Sequence, residues 1–114
     1  MIEATRVAEI IRQYEKHGWT LRRVLLCAGA RENFSSSENL FGGASVVSSG
    51  INALWFSRAA ANGSEAWELR RLSGAPFALI KIFGAADDEA AREKGRRETE
   101  KTLLAVNGEW LVVS

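Results

Sequence analysis

A single cysteine, a single histidine and a single proline occur in the 114 residues of this chain. One thiol, Cys27, cannot close an internal disulfide and fits a reducing cytosol, so a cytoplasmic location is expected. One imidazole, His17, removes most zinc sites and every His-rich cluster; no metal and no cofactor are expected. Aspartate is almost as scarce: Asp87 and Asp88 stand alone and adjacent, which suits helix capping better than paired acid–base work. No apolar run approaches the roughly 18 to 20 residues that cross a bilayer. Residues 1–6 read straight into a polar-faced helix and not into a signal peptide. Neither charge sign dominates, with 15 Lys and Arg against 14 Asp and Glu and a net charge of +1. That balance argues against a dedicated polyanion binder. The glycines form neither Gly-x-x-x-x-Gly-Lys nor Gly-x-Gly-x-x-Gly, and no serine sits in a Gly-x-Ser-x-Gly elbow.

What is present describes one globular domain over residues 1–114. Hydrophobic residues make up 46% and charged residues 25%, which excludes a mostly disordered chain. Val7, Ile10, Ile11 and Tyr14 recur at helical spacing inside 2–17, with charged residues opposite and Gly18 as the stop. Residues 19–27 read as a strand. Residues 28–50 are punctuated by Gly29, the Ser35–Ser37 triplet, Gly42-Gly43 and Ser48-Ser49-Gly50. Ser35 and Glu38 have capping-box spacing, which allows a helical turn over 36–40, and Val46-Val47 allows a short extra strand. Residues 51–58, 65–72 and 77–83 are three β runs joined by Asn62-Gly63 and by Ser73–Pro76. Links this short hold no crossover helix, so the three runs form an antiparallel meander. In the second run Trp67 and Leu69 point inward, leaving Glu68 and Arg70 to an exposed face.

Residues 87–101 carry eleven charges in fifteen positions, acidic at the start and basic further on, as a helix dipole favours. Ala91, Gly95, Thr99 and Leu103 form a seam of small residues that permits close approach to a sheet. Asn107-Gly108 marks either a helix end or a hairpin turn. We expect helix to about Ala105 and a final strand over Trp110–Val113. The predicted fold is α+β: a single antiparallel sheet of four to five strands with helices packed on one face, in the order α-β-(long loop)-β-β-β-α-(β).

Candidate chemistry is sparse. His17 and Cys27 sit at opposite ends of one strand, too far apart to pair, and Cys27 reads as a small buried hydrophobe. Glu65, Glu68 and Arg70 are a faint echo of a metal-dependent nuclease; for the upstream acid that Mg²⁺ chemistry also needs, the spacing offers only Glu32 or Glu38. Residues 19–83 hold seven basic residues against four acidic ones, interleaved with Trp55, Phe56, Trp67 and Phe77. Arginine with aromatic platforms can hold single-stranded nucleic acid, so Arg22, Arg58 and Arg70 are the candidates for that role. The apolar tail gives a different candidate. Trp110, Leu111 and Val112 either complete the sheet or bury themselves against a partner.

The run Tyr14-Glu15-Lys16-His17-Gly18-Trp19-Thr20-Leu21-Arg22-Arg23 resembles the first helix and strand of the HicA-type RNA-cleaving toxins, which share a double-stranded-RNA-binding-like fold. In that family a Gly-Ser-His follows the first strand and its histidine is catalytic. The corresponding stretch here, Cys27-Ala28-Gly29-Ala30-Arg31, has no histidine. The resemblance therefore implies neither the activity nor the site for this chain.

The expected function is a small cytosolic module that is not an enzyme, an interaction or accessory domain that self-associates as a homodimer. The first alternative is RNA or single-strand binding through an Arg- and Trp-bearing sheet face. The second is a ligand pocket or hydrolase site under the 28–50 loop, drawing on Ser35, Ser36, Glu38 and His17.

Overall fold

The computed structural model describes residues 3–34 and 40–113, with the side chains of Asn33 and of residues 107–113 left out. Helix α1 spans Ala4–Lys16 and buries Val7, Ile10 and Ile11, the stripe its sequence period announces. Gly18 ends it at φ 86°, where the Gly18 and Trp19 amides return to the carbonyls of Glu15 and Tyr14, both at 3.0 Å. Strand β1 follows over Thr20–Leu26.

The 28–50 segment is more regular than its punctuation suggests. It holds a short helix α2 over Ala28–Asn33 and a strand β2 over Ser45–Ser48. The turn expected over 36–40 falls mainly on residues outside the described ones. Phe34 and Phe41 anchor the excursion by meeting edge to face at 5.7 Å in the core. Because α2 sits in the link, β2 returns in the same direction as β1, pairing Val24 with Val46 and Leu26 with Ser48. A parallel pair needs such a crossover, and reading the link as loop hides it. The sheet is thus mixed, not wholly antiparallel.

The meander forms as expected: β3 Ala53–Ala59, β4 Glu65–Arg71 and β5 Ala78–Phe83. Asn62 and Gly63 supply the left-handed pair at its first turn, with φ 58° and 76°. The spatial order is β2-β1-β3-β4-β5, so β2 and β5 are the two edges.

Helix α3 runs unbroken over Glu89–Val113 for 25 residues. Asp88 caps it, accepting the Ala91 amide at 2.8 Å, while Asp87 takes the Gly84 amide at 2.8 Å. The expected final strand over Trp110–Val113 does not form. An Asn-Gly turn ends a helix only if the next strand finds partners. A glycine inside a helix costs about 1 kcal/mol, less than an isolated hairpin demands. Gly95 and Leu103 of the small-residue seam are buried against the sheet.

Both faces of the sheet are covered, which corrects the expectation of helices on one face. Val24, Leu26, Leu54 and Phe56 pack with Val7, Ile10 and Ile11 of α1. Leu25, Ala53, Trp55, Trp67, Leu69 and Phe83 pack with Leu103 of α3. Alternation along each strand separates the two cores.

Candidate interaction surface

The α3 face carries a dense set of charges tied to aromatic rings. Arg96, only 2% exposed, donates to Glu89 and, at 2.9 Å, to Glu93. Its guanidinium lies 4.6 Å from the Trp67 ring centroid and 6.0 Å from that of Phe83. Arg23 reaches Glu93 at 3.2 Å and Glu100 at 3.8 Å. Arg92 pairs with Glu65. The indole N–H groups of Trp55 and Trp67 donate to Glu100 at 2.8 Å and to Glu65 at 3.3 Å. Arg23, Arg92 and Arg96 are each paired with one or two of these four acids. This network glues α3 to the sheet.

Burial alone would raise the Glu93 carboxyl, but the guanidiniums of Arg96 and Arg23 outweigh it and hold the group below its usual range. Between that lowered value and 4.5, the ordinary one, the unfolded chain binds more protons than the folded one. Stability therefore rises with pH through that window and is lost as pH falls through the folded-state value. Glu93→Gln is expected to flatten the acid limb of a Tm-against-pH curve below about pH 4.5. An unchanged slope would assign that limb to other carboxylates.

The residues proposed for nucleic acid do not gather. The register shifts between Leu21 and Arg23, and this bulge turns Arg22 to the α3 face, 5.4 Å from the Trp67 centroid. Arg58 lies on the α1 face, 4.6 Å over Trp19 and donating to the His17 carbonyl at 3.3 Å. Arg70 shares that face, but it pairs with Leu54 of β3, four residues and about 13 Å from Arg58. Glu65 and Glu68 also part, one toward α3 and one toward α1. Glu68 and Arg70 are half-buried, not open to solvent, because α1 reaches over them and the Tyr14 hydroxyl donates to Glu68. Burial, then the hydrogen bond and charge of Glu68, push the Tyr14 hydroxyl up and keep it a donor. Its ring stacks on Phe56 at 4.0 Å.

Of the loop-pocket candidates, Ser35, Ser36 and Glu38 lie outside the described residues, and exposed His17 caps α1 at the far end of β1. A cleft of about 340 Å³ does open between Ser49–Ile51 and the Arg97, Glu100, Lys101 and Leu104 side of α3. Cys27 is half-buried at the start of α2, its amide held by Asn52 Oδ1 at 2.8 Å. Trp110, Leu111 and Val112 belong to helix α3, and their side chains lie outside the described residues.

The surface that composition does not announce is β5. Ile80 is 60% and Ile82 56% exposed on an edge strand. Edges are normally blunted by being short, charged or covered. The other edge, β2, has four residues and a serine at each end. Along β5, Leu79, Lys81 and Phe83 sit opposite Leu69, Trp67 and Glu65 on the α3 face. Ala78, Ile80 and Ile82 stand on the other face, beside Arg70, Glu68 and Ala66. α1 lies over β1 and reaches as far as Glu68, so those isoleucines stay open. The visible signal was a strand apolar on both faces, normally a central strand; the strand order makes it an edge.

Comparison with protein-family models, with curated proteins and with solved structures gave no match to this chain. Among the described residues, no helix is long and apolar enough to cross a membrane.

Proposed function

We propose that this protein is a non-catalytic interaction module that self-associates through its β5 edge. The observation that carries this reading is the pair of exposed isoleucines, Ile80 and Ile82, on a six-residue strand that has no neighbour on its outer side among the described residues. Lys81, the one charged residue of β5, leaves the α1 face of the strand uncharged. Its side chain lies on the α3 face, where a Cβ on Gly95 would come within 3.3 Å of Lys81 Cε. A free thiol at Cys27 and a nearly neutral surface suit a module working in the cytosol.

One strand pair covers less than the roughly 1,600 Å² of a standard interface, so association should depend on concentration in the micromolar range. Light scattering is expected to show a mass rising from 12.5 kDa toward twice that value. Ile80→Lys with Ile82→Lys should hold the protein at the monomer mass with an unchanged circular dichroism spectrum. A wild-type mass that stays monomeric up to about 500 µM, well above typical affinities of weak complexes, overturns the reading.

A further inference from the structure

Two copies of this chain, we infer, join β5 to β5 antiparallel about a two-fold axis at Ile80, making one continuous ten-stranded sheet. This rests on the self-association proposed above and adds its geometry. The Arg71 amide donates to the Phe77 carbonyl at 2.9 Å, which fixes Phe77, Leu79, Lys81 and Phe83 as the β5 residues bonded to β4. The amides and carbonyls of Ala78, Ile80 and Ile82 therefore face outward. Their side chains are the same ones left open on the α1 face.

The outward ladder is closed at both ends. The next outward position on one side is Pro76, which has no N–H. On the other side is Gly84, whose amide donates to Asp87 Oδ2 at 2.8 Å and whose carbonyl accepts from Arg92 at 3.0 Å and from the Asp87 amide at 3.1 Å. Three free residues with a stop on either side have one symmetric pairing that uses all of them. Ile80 meets Ile80 of the partner subunit, and Ala78 meets Ile82 of the partner subunit in both directions. Small faces large on either side of the central isoleucine pair.

Sliding the axis to Lys81 sets Ala78 against the committed Gly84 and places two lysines directly opposite each other, which is repulsive. Sliding it to Leu79 sets Ile82 against Pro76. Each slip loses backbone bonds that the Ile80 axis keeps. A window of three outward residues closed at both ends is matched in length by the same window of a second copy, and hydrogen bonding and charge then fix one register. On the α1 face, the isoleucines of both copies merge into one apolar strip between the two α1 helices.

The test is disulfide trapping in a Cys27→Ser background, which removes the only native thiol. Directly hydrogen-bonded antiparallel partners have Cα atoms about 5.5 Å apart, inside disulfide range. Ile80→Cys is expected to cross-link under mild oxidation at least about tenfold faster than Lys81→Cys or Leu79→Cys. Mixing Ala78→Cys protein with Ile82→Cys protein should give the mixed dimer in preference to either homodimer. If light scattering shows a dimer but trapping is fastest at 79 or 81, or absent throughout β5, the register is wrong while self-association stands. If the wild-type protein is monomeric, or another protein's strand is what binds β5, both readings fall together.

Discussion

Arg96→Ala is expected to lower the melting temperature by about 10 °C, the largest loss from any single charged residue among those described. The side chain is almost fully buried, its stem lies in the gap between α3 and the sheet, and its head rests on Trp67 and Phe83. Truncation removes stem packing together with a desolvated cation–π contact of about 2 kcal/mol. The ion pairs add less. Glu89 is 77% exposed and recovers its hydration, and Glu93 keeps Arg23 at 3.2 Å. A total near 3 kcal/mol follows, a large share of the 5 to 15 kcal/mol that holds a typical domain together. Arg96→Met is the informative companion, because an apolar chain of similar length refills the space. It restores the packing of the stem but not the cation–π contact, so it should cost about 2 kcal/mol, less than alanine. Equal Tm values for the alanine variant and the wild type would show that Arg96 is a bystander. Equal losses for alanine and methionine would show that its charge, not its bulk, matters.

Gly95 should give the second large effect, opposite in sign to helix propensity. A Cβ at this position would lie 2.6 Å from Cε1 and 3.1 Å from Cζ of Phe83, a ring 3% exposed and wedged against Trp67. The ring cannot yield without disturbing the core. Gly95→Ala gains about 1 kcal/mol of helix propensity and loses about 1 to 3 by overpacking, so it is expected to destabilise slightly. Gly95→Val adds two more methyls and a stiff branch, and should cost about 3 kcal/mol or more. Gly29 in α2 is the control. Among the described residues nothing lies within 4 Å of a Cβ built there, so Gly29→Ala should raise stability by up to about 1 kcal/mol. Denaturant midpoints for the three variants decide the matter. Stabilisation by Gly95→Val would mean that α3 does not sit this close to β5.

Much of the architecture was legible because it rests on local rules. The Val7–Ile10–Ile11 period, the Gly18 stop, the Asn62-Gly63 turn and the Asp87-Asp88 start of α3 each answer to chain segments a few residues long. Trp67 and Leu69 point inward as alternation requires. The small-residue seam also carried its message, since a helix facing a sheet with Gly95 comes close enough to touch Phe83. The errors share one origin. A strand's neighbours are chosen by distant residues, so the parallel β1–β2 pair and the second covered face leave no local trace. The C-terminal strand failed for the same reason. Its Asn-Gly turn is a strong local signal, but no sheet edge received the chain beyond it, and the helix went on.

The candidate surface shows the same division. By itself the sequence determined an α+β domain with a free thiol, little net charge and a β-strand apolar on both faces at 78–83. Folding decided what those features mean. It distributed Arg22 and the pair Arg58 and Arg70 to opposite faces, because one bulge at Arg22 reverses the side on which an arginine emerges. It answered Arg23, Arg92 and Arg96 with glutamates drawn from α3 and from Glu65 at the start of β4. It also set β5 last in the sheet, which left Ile80 and Ile82 uncovered and turned the backbone of Ala78, Ile80 and Ile82 outward. Hydrophobic periodicity says which side of a strand is apolar, but only the order of strands says whether that side and that edge have a neighbour.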